Sequence, residues 1–198
     1  MGLKIQYENG QTKLDEEELE GLKILSISTR GELDEFEQLN IENAIQWTLR
    51  LKIKPEQLFT EKFILKVHNK MYNDVWKWAG KFRKSEKNIG VKSYLIPVEL
   101  KKLLDDALYW HLNKTYSNEE LSIRFKHRIV SIHCFPNGNG RHSRLIADLI
   151  ITKLYNKSYF TWGRNNLVKA SRIRQTYINT LKEADSQNYL PLIAFAKS

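Results

Sequence analysis

The chain of 198 residues holds one cysteine, Cys134. No disulfide can form within it, and a zinc site built on several thiolates is excluded. Proline and glycine are scarce as well: 4 plus 9 residues, about 7% of the chain against roughly 12% on average. Such a chain is neither collagen-like nor a disordered linker, and it suits an all-β fold of many tight turns poorly. No apolar run approaches the roughly 20 residues of a membrane helix. The opening Met1-Gly2-Leu3-Lys4-Ile5-Gln6 carries no leader pattern and lacks the Ser/Thr of a myristoylation signal. Internal repeats are absent. These absences predict a single soluble domain in the cytoplasm, with no membrane attachment.

What is present is a core-building, unevenly charged chain. Hydrophobic residues make up 41% and aromatics 11%, enough for a sizeable core. The net charge of +9 is split. Residues 1–40 contain ten acids and four bases, a net of −6, which leaves +15 for residues 41–198. We therefore expect an acidic N-terminal segment, 1–40, able to lie over a basic body, 41–198. A body this basic meets phosphate, in a nucleotide or a nucleic acid, or else presents a solvated lysine surface. A nucleic-acid partner is not expected, because no recognition helix, zinc finger or RNA-binding signature is present.

Hydrophobic spacing predicts helices almost throughout. Leu33, Phe36, Leu39, Ile41, Ala44, Ile45 and Leu49 recur at helical period, and Lys54-Pro55 marks the next break. A second helix from about Thr60 carries Phe63, Ile64, Val67, Met71 and Tyr72 on one face. Residues 82–97 differ, with short apolar stretches among polar residues, and read as a hairpin or extended loop. Helical period returns at Leu100–Leu108, and Ser117 with Glu120 is a capping signature for a helix bearing Leu121, Phe125, Ile129 and Ile132. Further helices are predicted at Leu145–Leu154, about Leu167–Ala184 and about Tyr189–Ala196. The fold class is mainly α.

One stretch stands apart: His133-Cys134-Phe135-Pro136-Asn137-Gly138-Asn139-Gly140-Arg141-His142-Ser143-Arg144. It reads as helix, tight loop, helix. Gly138 and Gly140 permit positive φ and close approach of a ligand. The N–H groups of such a loop, at the positive end of the following helix, form an anion nest. Arg141 and Arg144, one turn apart, can converge on one anion. His133 at the mouth could take a proton from an attacking hydroxyl, or could be a structural hydrogen-bonder at a helix end. His127, His133 and His142 have no zinc-ligand spacing, and Cys134 beside Phe135 suits a buried thiol better than a nucleophile.

These twelve residues resemble the signature of the Fic family: His, any, Phe, any, Asp/Glu, Gly, Asn, Gly, Arg, any, any, Arg. Trp78-Ala79-Gly80-Lys81-Phe82-Arg83 is similar to the family's segment before its β-hairpin flap, and Tyr177, Leu181, Asp185, Pro191 and Leu192 to its C-terminal pattern. Ser28–Leu33 with Glu35, Glu37 and Asn40 resembles the subgroup called mobile mystery protein B. The resemblance implies a Fic fold, a helical bundle with a short β-hairpin flap in 84–97. It also implies transfer of AMP from ATP onto a Ser, Thr or Tyr hydroxyl of a target protein. His133 would be the base. Gly138, Gly140 and the Asn139 side chain would hold phosphates. Arg141 and Arg144 would neutralise the β- and γ-phosphates, and Phe135 would anchor the loop.

One fixed position departs from the pattern. Asn137 stands where the family places the acid that holds Mg²⁺, and a neutral amide attracts that ion less. The alternatives are a catalytically weak nucleotide-binding module and a related phosphoryl or UMP transfer. The resemblance also suggests self-inhibition: Ser28 and Glu32 have the spacing of the family's inhibitory helix, whose Glu pairs with the second motif arginine, here Arg144. Glu35 and Glu37 are the substitutes should the register differ by a turn, and Glu32 could equally serve the first turn of its own helix. Homo-oligomerisation is left open.

Overall fold

The computed structural model describes residues 13–163 and 170–198. Among these, the helices are α1 (Glu16–Leu19), α2 (Arg30–Leu49), α3 (Pro55–Leu58), α4 (Glu61–Tyr72), α5 (Ile96–Leu112), α6 (Asn118–Ile132), α7 (Asn139–Leu149), α8 (Ala170–Asp185) and α9 (Leu190–Lys197). The start of the last long helix, expected near Leu167, lies outside the described residues. No helix of the described residues is long and apolar enough to cross a membrane.

Local chemistry sets the helix starts. Thr29 caps α2 by accepting from the Glu32 N–H, and the Glu32 carboxylate returns to the Thr29 N–H, a complete capping box. Thr60 caps α4 through the Phe63 N–H, and Ser117 caps α6 through that of Glu120. Pro55 opens α3 at a position where a missing N–H costs nothing. On α6, Leu121, Phe125, Ile129 and Ile132 are buried, as their spacing predicts.

The helices pack around one principal core. α2 lies on α4, α4 on α7, and α6 between α5 and α7. A second cluster, built on Ile123, Ala147, Ile151, Phe160, Trp162 and Leu192, seats α8 and α9 against the α6–α7 pair. The divide expected at residue 40 falls inside α2, where Leu33 and Ile41 enter the same core.

The expected hairpin is absent. Among the described residues the only β-type pairing is a lone antiparallel bridge between Leu22 and Trp76. Residues 82–92 form an irregular loop, followed by a 3₁₀ turn at Ser93–Leu95. The reason is where its backbone groups go. The Arg83 and Val91 N–H groups donate to the Cys134 and Ile132 carbonyls at the end of α6. The Arg83 guanidinium takes up the Ser85 and Val91 carbonyls. With these groups spent on α6 and on one buried side chain, no ladder forms across the loop.

Candidate active site

The α6–α7 connection is built around two left-handed residues. His133 ends α6 at φ 58 and ψ 60, and Gly138 precedes α7 at φ 78. A non-glycine residue pays about 1 kcal/mol for that geometry, so the turn at His133 is held by its surroundings. Gly138 has a steric reason besides its φ: a Cβ there would lie 2.5 Å from the Tyr72 ring. The turn at Gly138 brings the N-terminal N–H groups of α7, and with them the positive end of its dipole, to the loop.

Side chains beneath the loop lock its shape. Asn139 accepts from the Phe135 N–H at 2.9 Å and donates to the Phe135 carbonyl at 2.7 Å. The Asn139 amide thus braces the loop through its oxygen and one N–H, where the resemblance implied a phosphate contact. Phe135, fully buried, stacks on His68 with ring centroids 3.6 Å apart. His68 accepts the Gly80 N–H on Nδ1, so its proton sits on Nε2 and is donated to the Asn137 carbonyl at 3.1 Å. His142 donates to the Ile64 carbonyl. Burial holds both rings neutral, His68 well below the ordinary histidine range and His142 down to about 4. His68 and Tyr72, on α4, escaped the sequence reading. Only their place on an apolar helical face was visible, and nothing in it pointed at a loop 60 residues away.

The arginines rise from the first turns of α7. Arg144 donates weakly through Nε to the Gly140 carbonyl at 3.3 Å and lies over the Tyr177 ring at 5.7 Å. Arg141 lies over the Tyr72 ring at 5.2 Å and pairs through Nη2 with Glu37 Oε2 at 2.7 Å. Burial works against the Arg141 charge, but Tyr72 and Glu37 more than compensate and hold its pKa above the ordinary arginine value. Glu37 is buried on α2, its other oxygen accepting the Trp76 indole N–H at 2.7 Å.

Glu32 sits elsewhere. Its carboxylate accepts from the Ser28 and Thr29 N–H groups and the Ser28 hydroxyl, at the exposed start of α2. Those bonds hold it below the usual carboxylate range. Among the described residues of the N-terminal segment, the acid that pairs with a motif arginine is Glu37, and the arginine is Arg141 rather than Arg144. The capping box won Glu32 because it satisfies helix N–H groups locally, with no long reach.

His133 is buried, and its pKa falls to about 4. Burial is the main cause, the Arg83 charge adds to it, and a hydrogen bond to the Val130 carbonyl opposes it. The ring is thus neutral at pH 7. With one N–H held by Val130, the other nitrogen carries a lone pair able to accept a proton. Burial pushes the Cys134 thiol up to about 12, which makes it inert as a nucleophile.

Residue 137 offers an amide oxygen where a divalent cation prefers a carboxylate. Asn137 Oδ1 accepts the Gly138 N–H at 2.6 Å, and no group of three or more His, Cys, Asp or Glu among the described residues could hold a metal. His127, His133 and His142 form no such group. His127 instead bonds Asp185 at 2.9 Å.

One short loop of this helical bundle thus joins His133, at the end of α6, to the N-terminus of α7, with Arg141 and Arg144 on the first turns of that helix. Residues 58–151 match the model of the Fic/DOC family. The likeness to one subgroup rests on the N-terminal residues alone. A protein adenylyltransferase Fic from Nematostella vectensis is 21% identical over 175 residues, 86% of this chain and 39% of that protein. The chain thus spans less than half the length of this curated relative. Among solved structures, the N-terminal Fic domain of Bep8 from Bartonella sp. 1-1C has a TM-score of 0.69 at 15% identity, covering 90% of each chain. BepC from Bartonella tribocorum, solved with bound AMPPNP, has a TM-score of 0.66 at 17% identity over 96% of this chain and 93% of its own.

Proposed function

We propose that this protein transfers AMP from ATP to a hydroxyl side chain of a target protein, with His133 as the base. The observation that carries the reading is the loop itself. The neutral His133 ring and the Gly138-capped N-terminus of α7 stand at its two ends, with Arg141 and Arg144 on the turns that follow. The AMPPNP bound to BepC supports ATP as the donor. The target oxygen attacks the α-phosphorus, the bond to the oxygen bridging to the β-phosphate breaks, and pyrophosphate leaves. The hydroxyl proton passes to His133, and a phosphodiester links AMP to the target. Gly138 turns the chain so that the N–H of Gly140, at the start of α7, holds a phosphate oxygen, and Arg141 and Arg144 neutralise the outer phosphates. Pre-set donors of this kind stabilise charge as it shifts to the leaving group.

The same reading includes restraint by the N-terminal helix. Glu37 sits on the guanidinium that a phosphate would use, so nucleotide must compete with a buried carboxylate for Arg141. The test compares His133→Ala with Arg144→Ala in the full chain. The first should lose protein labelling and keep ATP affinity, and the second should lose affinity as well. Undiminished labelling by His133→Ala, or equal ATP affinity of the two variants, would refute these roles.

A further inference from the structure

The loop at 82–92 is a strap laid over His133 and fastened on both sides. On the inner side, the fully buried Arg83 donates through Nε to the His133 carbonyl at 2.7 Å, and its backbone N–H goes to the Cys134 carbonyl at 2.9 Å. The Val91 N–H reaches the Ile132 carbonyl at 3.3 Å. Three consecutive residues at the end of α6 are thus held by one loop. Gly90, at φ 106, presses directly on the imidazole-bearing residue: a Cβ there would stand 2.6 Å from His133 Cβ and 2.8 Å from Arg83 Nη2.

The outer side is held by the acidic N-terminal segment. Glu18 Oε1 accepts the Ser85 hydroxyl at 2.9 Å, and Glu18 Oε2 accepts the Lys87 ammonium. Lys87 also donates to the Lys13 carbonyl at 3.1 Å and stands 3.7 Å from Asp15. The Lys87 and Glu18 side chains are only 5% and 10% exposed, so breaking the pair strands a charge away from water. Glu18 is itself fixed by its reciprocal bonds with Asp15 and by the Trp78 indole on its carbonyl.

We propose that Glu18, by clasping Ser85 and Lys87, is a positioning residue for His133, so that the acidic segment acts on the chemistry through this strap as well as through the phosphate arginine. The kinetic part rests on His133 being the base; the structural part does not. Arg83 and Lys87 are the charges that bear on the His133 ring, and Glu18 and Asp15 balance Lys87. Release of the clasp lifts the strap, exposes the ring and relaxes the left-handed turn. Exposure is the larger effect, because burial is the main cause of the low His133 pKa.

The test uses the full chain and two readouts. Histidine ring NMR, with the His133 signal assigned by its loss in His133→Asn, follows the titration. Protein labelling at varied ATP separates kcat from KM. Glu18→Ala should raise the His133 midpoint by at least one pH unit and lower kcat at least fivefold, with KM for ATP within twofold. The paired variant Glu18→Gln, Lys87→Met, which leaves no stranded charge, should recover at least half the kcat loss and keeps the test open should Glu18→Ala fail to fold. Glu16→Gln, on the exposed face of α1, should change neither readout. An unmoved midpoint and kcat in Glu18→Ala, or a rise in KM alone, overturns the proposal. A shifted midpoint in a protein that labels no target supports the clasp and refutes the transferase reading.

Discussion

Gly138→Ala probes the geometry that everything else depends on. Two costs can be worked from the structure. At φ 78 an alanine pays about 1–2 kcal/mol for the left-handed region. Its methyl would also lie 2.5–2.6 Å from three Tyr72 atoms, and overpacking of that kind costs about 1–3 kcal/mol. Tyr72 cannot simply swing away, because it is fully buried beneath the Arg141 guanidinium. The expected destabilisation is therefore about 2–5 kcal/mol, or a displaced loop that binds ATP weakly. Urea unfolding measures the first and ATP titration the second. In a Tyr72→Leu background the steric part should vanish, leaving about 1–2 kcal/mol for the backbone. A Gly138→Ala protein within 0.5 kcal/mol of the parent, with unchanged ATP affinity, would refute the packing of loop against α4.

Three further outcomes follow from the site. His133 and His142, both down to about 4 in the folded chain, stay neutral where the unfolded chain takes up protons. Their stabilising effect is full above about pH 6.5 and fades toward pH 4, by up to about 3 kcal/mol each; equal urea midpoints at pH 7 and 4.5 would contradict this. Glu37→Gln keeps the Trp76 bond but frees Arg141, and should tighten ATP binding severalfold, on the order of 1 kcal/mol after allowing for the partly exposed guanidinium; weaker binding would mean that Glu37 positions Arg141 instead of restraining it. Asn137→Asp should keep the acceptor for the Gly138 N–H and make transfer more dependent on Mg²⁺, and identical metal titrations of the two proteins would show that residue 137 does not face the ion.

The helices and the loop were legible because both are local. Period and caps place α2, α4 and α6, and the glycines and arginines between His133 and Arg144 announce an anion site without reference to the rest of the chain. The misreadings concern partners distant in sequence. Glu32 and Glu37 look equivalent as acids on one acidic segment. Their difference lies in helix phase, since Glu37 shares the buried face with Leu33, Ile41 and Ala44, and Glu32 does not. The segment 82–97 has the composition of a hairpin, but one buried arginine redirects its carbonyls. No propensity scale contains that information.

The most direct test of the account is the fate of the label when the full chain is incubated with target-containing extract and either α-³²P- or γ-³²P-labelled ATP. Transfer of AMP with His133 as base predicts that protein retains the α-label and not the γ-label, and that His133→Ala abolishes retention while still binding ATP. Retention of the γ-label alone, or full α-labelling by His133→Ala, would contradict it.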